Sequence, residues 1–170
     1  NVQFRVKGDL HDLPFRDPRQ GEFRIAAQVR NVVYDYAPVR LLPTGSKPWP
    51  ALTQLNGELL FERAGMRVNQ ATGRLAGMPQ SRVVRTDASI PDLEHTVVSV
   101  TADVHGPLTE MLGMVNSSPV AGMTSHALDA ATATGTADLK LKLGLPIADI
   151  EKSTVRGSVV LAGNDVRITL

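Results

Sequence analysis

The sequence has 170 residues, 42% hydrophobic and 21% charged, with 18 basic and 17 acidic side chains mixed along it and a formal net charge of +1. That length fits one domain, and the balanced charge excludes both a basic nucleic-acid stripe and an acidic tail. With no cysteine and an aromatic content of 4%, disulfides and thiolate metal sites are impossible and any core must be aliphatic.

Period-two alternation, which sends successive side chains to opposite faces of a sheet, begins at once in Val2-Gln3-Phe4-Arg5-Val6. It resumes where Phe23, Ile25, Ala27 and Val29 alternate with Arg24, Gln28 and Arg30. Residues 37–50 hold four prolines and close on the only tryptophan, Trp49, so they read as a long loop. Ala64-Gly65 then divides the strand ending near Phe61 from the one opening at Met66, which predicts a hairpin. Thr72-Gly73 predicts a further turn, into Arg74-Leu75-Ala76.

In the second half, Val98, Val100, Ala102 and Val104 alternate with Ser99, Thr101, Asp103 and His105. A short helix is predicted over residues 107–116: Pro107 suits its first turn, Leu108, Met111, Leu112 and Val115 recur at helical spacing, and Ser118-Pro119 ends it. Residues 125–134, rich in Ala and Thr, read as helix or loop. Leu139, Leu141, Leu143 and Leu145 alternate around Lys140 and Lys142, and Ala162-Gly163-Asn164 predicts a last hairpin between Val159-Val160-Leu161 and Val166-Arg167-Ile168. The phrase Gly57-Glu58-Leu59-Leu60-Phe61 with Met66-Arg67-Val68 is echoed by Gly157-Ser158-Val159-Val160-Leu161 with Val166-Arg167-Ile168. The echo is either a repeated hairpin unit or the common look of amphipathic hairpins.

The fold class expected is mainly β: one curved antiparallel sheet, groove-like or partly closed, with one short helix. Alternation is under way at residue 2 and still running through Val166-Arg167-Ile168-Thr169-Leu170, as expected of a single β-rich segment, residues 1–170, taken from a larger protein. No apolar run approaches the ~20 residues of a helical membrane span.

Chemistry-bearing patterns are sparse. His11, His95, His105 and His126 lie far apart without ligand spacing, and neither a nucleophile elbow nor a phosphate-cradling glycine loop is present. Asp87, Asp92 and Glu94 read as a solvated face, since calcium needs more oxygen ligands in a set order. No catalytic residue, metal or cofactor is expected, and an enzyme is disfavoured.

Certain phrases occur in a telling order: Gly8-Asp9-Leu10, Leu13-Pro14-Phe15-Arg16, Gly21-Glu22-Phe23, Trp49-Pro50-Ala51-Leu52, Leu55-Asn56-Gly57-Glu58-Leu59-Leu60-Phe61, Gly106-Pro107-Leu108, Asn116-Ser117-Ser118-Pro119-Val120 and Leu143-Gly144-Leu145-Pro146-Ile147. In this order the chain resembles the YhdP-type proteins of the AsmA-like, TamB-related group of Gram-negative bacteria, from about Gly8 to Ile168. The resemblance implies a periplasmic body, an inner-membrane anchor outside this segment, and adjoining segments of the same chain as neighbours. It also implies phospholipid transport between inner and outer membranes along curled sheets with an aliphatic groove, in support of outer-membrane integrity.

On that reading Val98, Val100, Ala102, Val104, Leu139, Leu141, Leu143 and Leu145 are the candidate lipid-facing residues, meeting phospholipid acyl chains while Lys140 and Lys142 face water. The same alternation fits an ordinary closed core. The other function class is a structural or partner-binding module whose strand edges dock neighbouring segments without direct lipid contact.

Overall fold

The structure is a computed structural model and describes residues 1–168. Where the sequence alternates, strands form: β1 (Val2–Gly8), β2 (Gly21–Tyr34), β3 (Leu52–Glu62), β4 (Gly65–Leu75), β5 (Arg82–Ile90), β6 (Val97–Pro107), β7 (Thr132–Ala133), β8 (Thr136–Pro146), β9 (Thr154–Leu161) and β10 (Val166–Arg167). Eight of them make one antiparallel meander in the order β1-β2-β3-β4-β5-β6-β8-β9, with β1 and β9 as open edges, while β7 and β10 form a separate two-stranded ladder. The mainly β, antiparallel fold class is confirmed.

Register gives this sheet one apolar face from edge to edge. Val2, Ala27, Leu59, Val68, Ala88, Val100, Leu143 and Val155 are successive cross-strand partners through all eight strands. Directly opposed residues of an antiparallel pair share a face, so this is an unbroken aliphatic row. Phe4, Ile25, Phe61, Met66 and Ile90 make a second row beside it.

The curvature has a local cause that simple alternation does not reveal. In four adjacent strands the inward row takes one step of three residues instead of two: Val29 to Val32, Leu52 to Leu55, Val68 to Ala71, and Val83 to Thr86. Each step falls at an irregularity of the ladder. Asn31, Gln54 and Gln70 occupy the extra positions of β2, β3 and β4 with φ of 51°, 49° and 46°, a left-handed conformation that costs energy for residues with a Cβ. Side chains on the neighbouring strands support two of them: the Asn31 amide donates to Asn56 Oδ1 at 3.1 Å and the Gln70 amide to Asp87 Oδ1 at 2.8 Å. A bulge bends its strand and increases its twist, and bulges aligned on four neighbours bend the whole sheet along one line.

The helix forms where the spacing predicts it, as α1 (Leu108–Ser117), directly after β6. It buries Leu108, Met111 and Met114 on the apolar face of the sheet. The Glu110 carboxylate accepts the Gln80 amide at 2.8 Å and the Ser81 hydroxyl, tying the first turn to the β4–β5 loop. Lys47 Nζ donates to the Asn116 carbonyl at 3.1 Å, a cation placed at the negative end of the helix dipole. A further helical turn, α2 (Val120–Met123), follows, and residues 124–130 are turns leading toward β7.

Two sequence expectations are corrected. Gly73 lies inside β4 opposite Val83 and is not a turn; β4 continues to Leu75 because its inward residues resume after the bulge. The predicted hairpin around Gly163 does not form, since β10 pairs with β7 rather than β9. Asn164 explains the diversion: its Nδ2 donates to the carbonyls of Thr134 at 2.6 Å and Thr136 at 3.0 Å, drawing the chain across to β7. The echo between the two Gly-led phrases therefore marks a hairpin only in its first copy, β3–β4. Thr169 and Leu170 of the predicted last strand lie outside the described residues.

The leading glycines of the echo provide a test. A Cβ on Gly57 would stand 2.7 Å from Ala71 Cβ and 2.8 Å from Ala71 Cα, whereas one on Gly157 would have nothing nearer than 3.8 Å. Gly57→Ala should cost about 1–3 kcal/mol through overpacking, and Gly157→Ala should stay within about 0.5 kcal/mol, both measured by denaturant unfolding. Equal losses at the two positions would contradict the difference in packing.

Candidate functional site

The apolar face is not covered evenly. Over β4, β5 and β6 it is sealed: Val68, Val83, Val98, Val100 and Val104 are buried beneath the helices and the proline-rich loop. At the β1 edge Phe15 packs over Gly8 and Gly21, but Val2 and Phe4 are 65% and 69% exposed. Between α1, α2 and the β8–β9 end of the sheet there is a cavity of about 390 Å³.

Three walls define the cavity. The helical wall brings Met111, Leu112, Met114 and Val115 from α1 with Val120 and Met123 from α2. The sheet supplies Leu139, Leu141 and Leu143 from β8, and Val155, Gly157 and Val159 from β9. Trp49 and Tyr36, both buried, close the third side. The β9 wall is the open one, for Gly157 has no side chain and Val159 is 42% exposed. Placing Gly at an inward strand position leaves a hollow where Leu or Val would fill it.

Among the described residues, no charged side chain lines the cavity. Thr124 Oγ1 is spent on the Val120 and Ala121 carbonyls, each at 3.1 Å. Burial raises the Tyr36 hydroxyl's pKa well above its ordinary value and pushes that of Tyr34, whose ring lies 6.2 Å from it, to about 12. Both phenols thus stay protonated and neutral across the physiological range. The Trp49 indole N–H is buried without a partner among the described residues. Such a space penalises charge and accepts hydrocarbon, and its volume lies within the ~300–1,000 Å³ common for small-molecule sites.

The eight candidate residues divide. Leu139, Leu141 and Leu143 line the cavity; Leu141 is half-buried, while Leu139 and Leu143 are buried core residues that border it. Val98, Val100, Ala102, Val104 and Leu145 are at most 6% exposed and belong to the sealed core. One row on β6 and one on β8 pair in register, yet only the outer strand reaches the gap under the helices. Trp49, Met111, Met114, Val155, Gly157 and Val159 complete the site and were not among the candidates. Their signals were the helix's own apolar stripe, which needs a facing surface, and the Val155-Gly157-Val159 alternation on β9.

Polar clusters elsewhere are internally satisfied. Asp92, Glu94 and His95 offer ligand atoms within 4.8 Å of one another, but Arg16 reaches Asp92 at 2.7 Å and Glu94 at 2.7 Å. Asp87 serves the Gln70 bulge and Arg85. The four histidines remain separate, each beside its own aspartate at 2.7–3.3 Å.

Comparison with known proteins adds one decisive observation: the family model described as "YhdP protein" matches residues 1–170. The chain belongs to the YhdP family. No curated protein and no solved structure matches it. The family match spans the stretch from Gly8 to Ile168 whose ordered phrases carry the resemblance. In this member of the YhdP family, no helix among the described residues is long and apolar enough to cross a membrane.

The Arg16 contact holds the Asp92 carboxyl well below the ordinary carboxylate range, chiefly through its side-chain hydrogen bond, helped by the Glu94 amide. A carboxylate with a depressed folded pKa contributes its stability above the unfolded value, near 3.9, and loses it as pH falls through the folded value. Arg16→Ala should therefore raise the Asp92 pKa toward the ordinary range in an NMR titration, and its loss of stability should be full near neutral pH and shrink as pH falls below about 3.9 toward the folded value. An unchanged Asp92 titration would show that Arg16 does not set it.

Proposed function

We propose that this chain is a non-catalytic, lipid-contacting section of an AsmA-like transport protein, taking phospholipid acyl chains into the cavity between α1, α2 and the β8–β9 edge. The observation that carries the reading is an uncharged aliphatic cavity, open along a strand edge, on a sheet whose apolar face runs through all eight strands. Each methylene kept out of water is worth about 0.8 kcal/mol, so a dry surface along the path lowers the cost of carrying a chain between membranes. The family supports the wider setting: a periplasmic segment of an inner-membrane-anchored protein, with the anchor elsewhere and adjoining segments of the same chain as neighbours. The proposed role is phospholipid movement between inner and outer membranes, and so outer-membrane integrity. It needs no cofactor, metal or nucleic acid.

A second reading, a spacer or docking module without lipid contact, is favoured by one observation. Five of the eight candidate positions, Val98, Val100, Ala102, Val104 and Leu145, are sealed, and the exposed β1 edge suits pairing with a neighbouring strand.

A photo-crosslinking residue placed at Leu141 in the intact protein should capture phospholipid, while the same residue at Val104, 2% exposed, should not. Leu141→Asp should leave the chain folded, because this side chain is half-buried beside the open β9 wall, and should lower lipid capture from Leu143 at least about tenfold, since an unpaired carboxylate is strongly disfavoured against hydrocarbon. Absence of lipid from every cavity position would leave the spacer reading standing.

A further inference from the structure

The cavity accounts for one face of the β8–β9 edge; the other face carries an unbalanced pair of cations. Lys142 on β8 and Arg156 on β9 are register partners, directly opposed on the side away from Leu141 and Leu143. Like charges so placed are destabilising. Neither makes an ion pair among the described residues. Among the described charged groups around them, no carboxylate stands directly opposite either cation, and the one in reach, Asp103, faces three cations. On β6 the residue opposite Lys142 is Thr101, whereas Asp103 stands opposite Lys140, one pair further along. Asp138 is engaged by His105 at 2.7 Å.

The two cations border a polar hollow of about 350 Å³, together with Thr101, Asp103, Lys140 and Ser158. This hollow and the apolar cavity share Leu141 and Gly157. They lie back to back on the two faces of the sheet. β9 is the outermost strand, and its residue at the shared position, Gly157, has no side chain, so an amphiphile can pass over the edge there. Val155 and Val159 then face its chain, and Arg156 with Ser158 its head.

We propose that Lys142 and Arg156 form a head-group site for the phosphate of a lipid whose acyl chain occupies the cavity, the molecule straddling the β9 edge at Gly157. The proposal rests on the acyl-chain reading of the cavity and adds the chemistry of the other end: an anionic phosphate monoester or diester. A phosphate between the two side chains converts their repulsion into two charge-assisted hydrogen bonds, with the guanidinium of Arg156 matched to two oxygens at once. The chain's only tryptophan, Trp49, lines the cavity and reports its occupation directly.

The test titrates Trp49 fluorescence of the purified chain with dodecyl phosphate and with dodecanol, both below micelle formation, and with inorganic phosphate alone. Dodecyl phosphate should bind about tenfold more tightly than dodecanol, with the preference weakening as salt rises. The double variant Lys142→Gln with Arg156→Gln, both sites exposed, should lose that preference while keeping its affinity for dodecanol, with a melting temperature no lower than that of the parent because the repulsion is gone. The exchange Lys142→Arg with Arg156→Lys should retain it. Equal affinities for the two amphiphiles, or a preference that survives the double variant, would overturn the head-group site and leave the acyl cavity intact. Binding of inorganic phosphate alone as tight as that of dodecyl phosphate, followed by phosphorus NMR line broadening, would reassign the cations to free phosphate and overturn the lipid assignment. Failure of both amphiphiles to bind would overturn the acyl-chain reading and this inference with it.

Discussion

One extra residue in each of four neighbouring strands sets the geometry of the molecule. Without bulges, strict alternation would carry β2 to β5 on as a gently twisted surface, and Tyr34, Leu52, Leu75 and Val83 would change faces relative to the rows before them. The inserted residues restore the apolar side chains to one face after each step, and the left-handed backbone at Asn31, Gln54 and Gln70 is the local cost. Hydrogen bonds donated by the Asn31 and Gln70 amides to Asn56 and Asp87 on adjacent strands offset part of that cost. The bend and the continuous dry face are therefore consequences of the same device.

A bent sheet with one dry face must cover that face, continue it into a neighbour, or bind something on it. This chain covers it unequally. The insertion between β6 and β8 folds back as α1 and α2, fixed by Glu110 to the β4–β5 loop and by Lys47 to the helix C-terminus. Beneath it the β4 to β6 rows are closed core. Toward β9 the helices no longer reach the strand, and a glycine at an inward position leaves the space unfilled. At β1 Phe15 covers only the Gly8 end, and Val2 and Phe4 stand in solvent. Closure in the middle and opening at the edges restrict any ligand to the edge strands.

Much of the architecture was legible in the residues. Short turns force antiparallel neighbours, which gave the meander, and the spacing of Leu108, Met111, Leu112 and Val115 placed α1. The face of each row followed from alternation alone, because a strand's side chains have a fixed period of two. The family was legible through phrases whose order, rather than any single motif, carries it. Less legible were the bulges, although steps of three such as Val68 to Ala71 are written in the sequence. A step of three also occurs in a helix or across a turn, and Gly73 was read as such a turn.

What the tertiary structure alone decided is which apolar rows are dry core and which meet open space. Val100 and Leu143 are direct partners with the same alternation on either side, yet only Leu143 borders the cavity. No local pattern distinguishes them, since the difference lies in where the helix comes to rest on the sheet. The same holds for β10, whose Val166 and Arg167 repeat the look of a hairpin arm but are taken to β7 by the hydrogen bonds of Asn164. The sequence by itself determined strands, their order and the side each residue faces, because those depend on neighbours along the chain. Coverage and exposure depend on long-range packing of the cap and loops on the sheet, which only the folded molecule fixes.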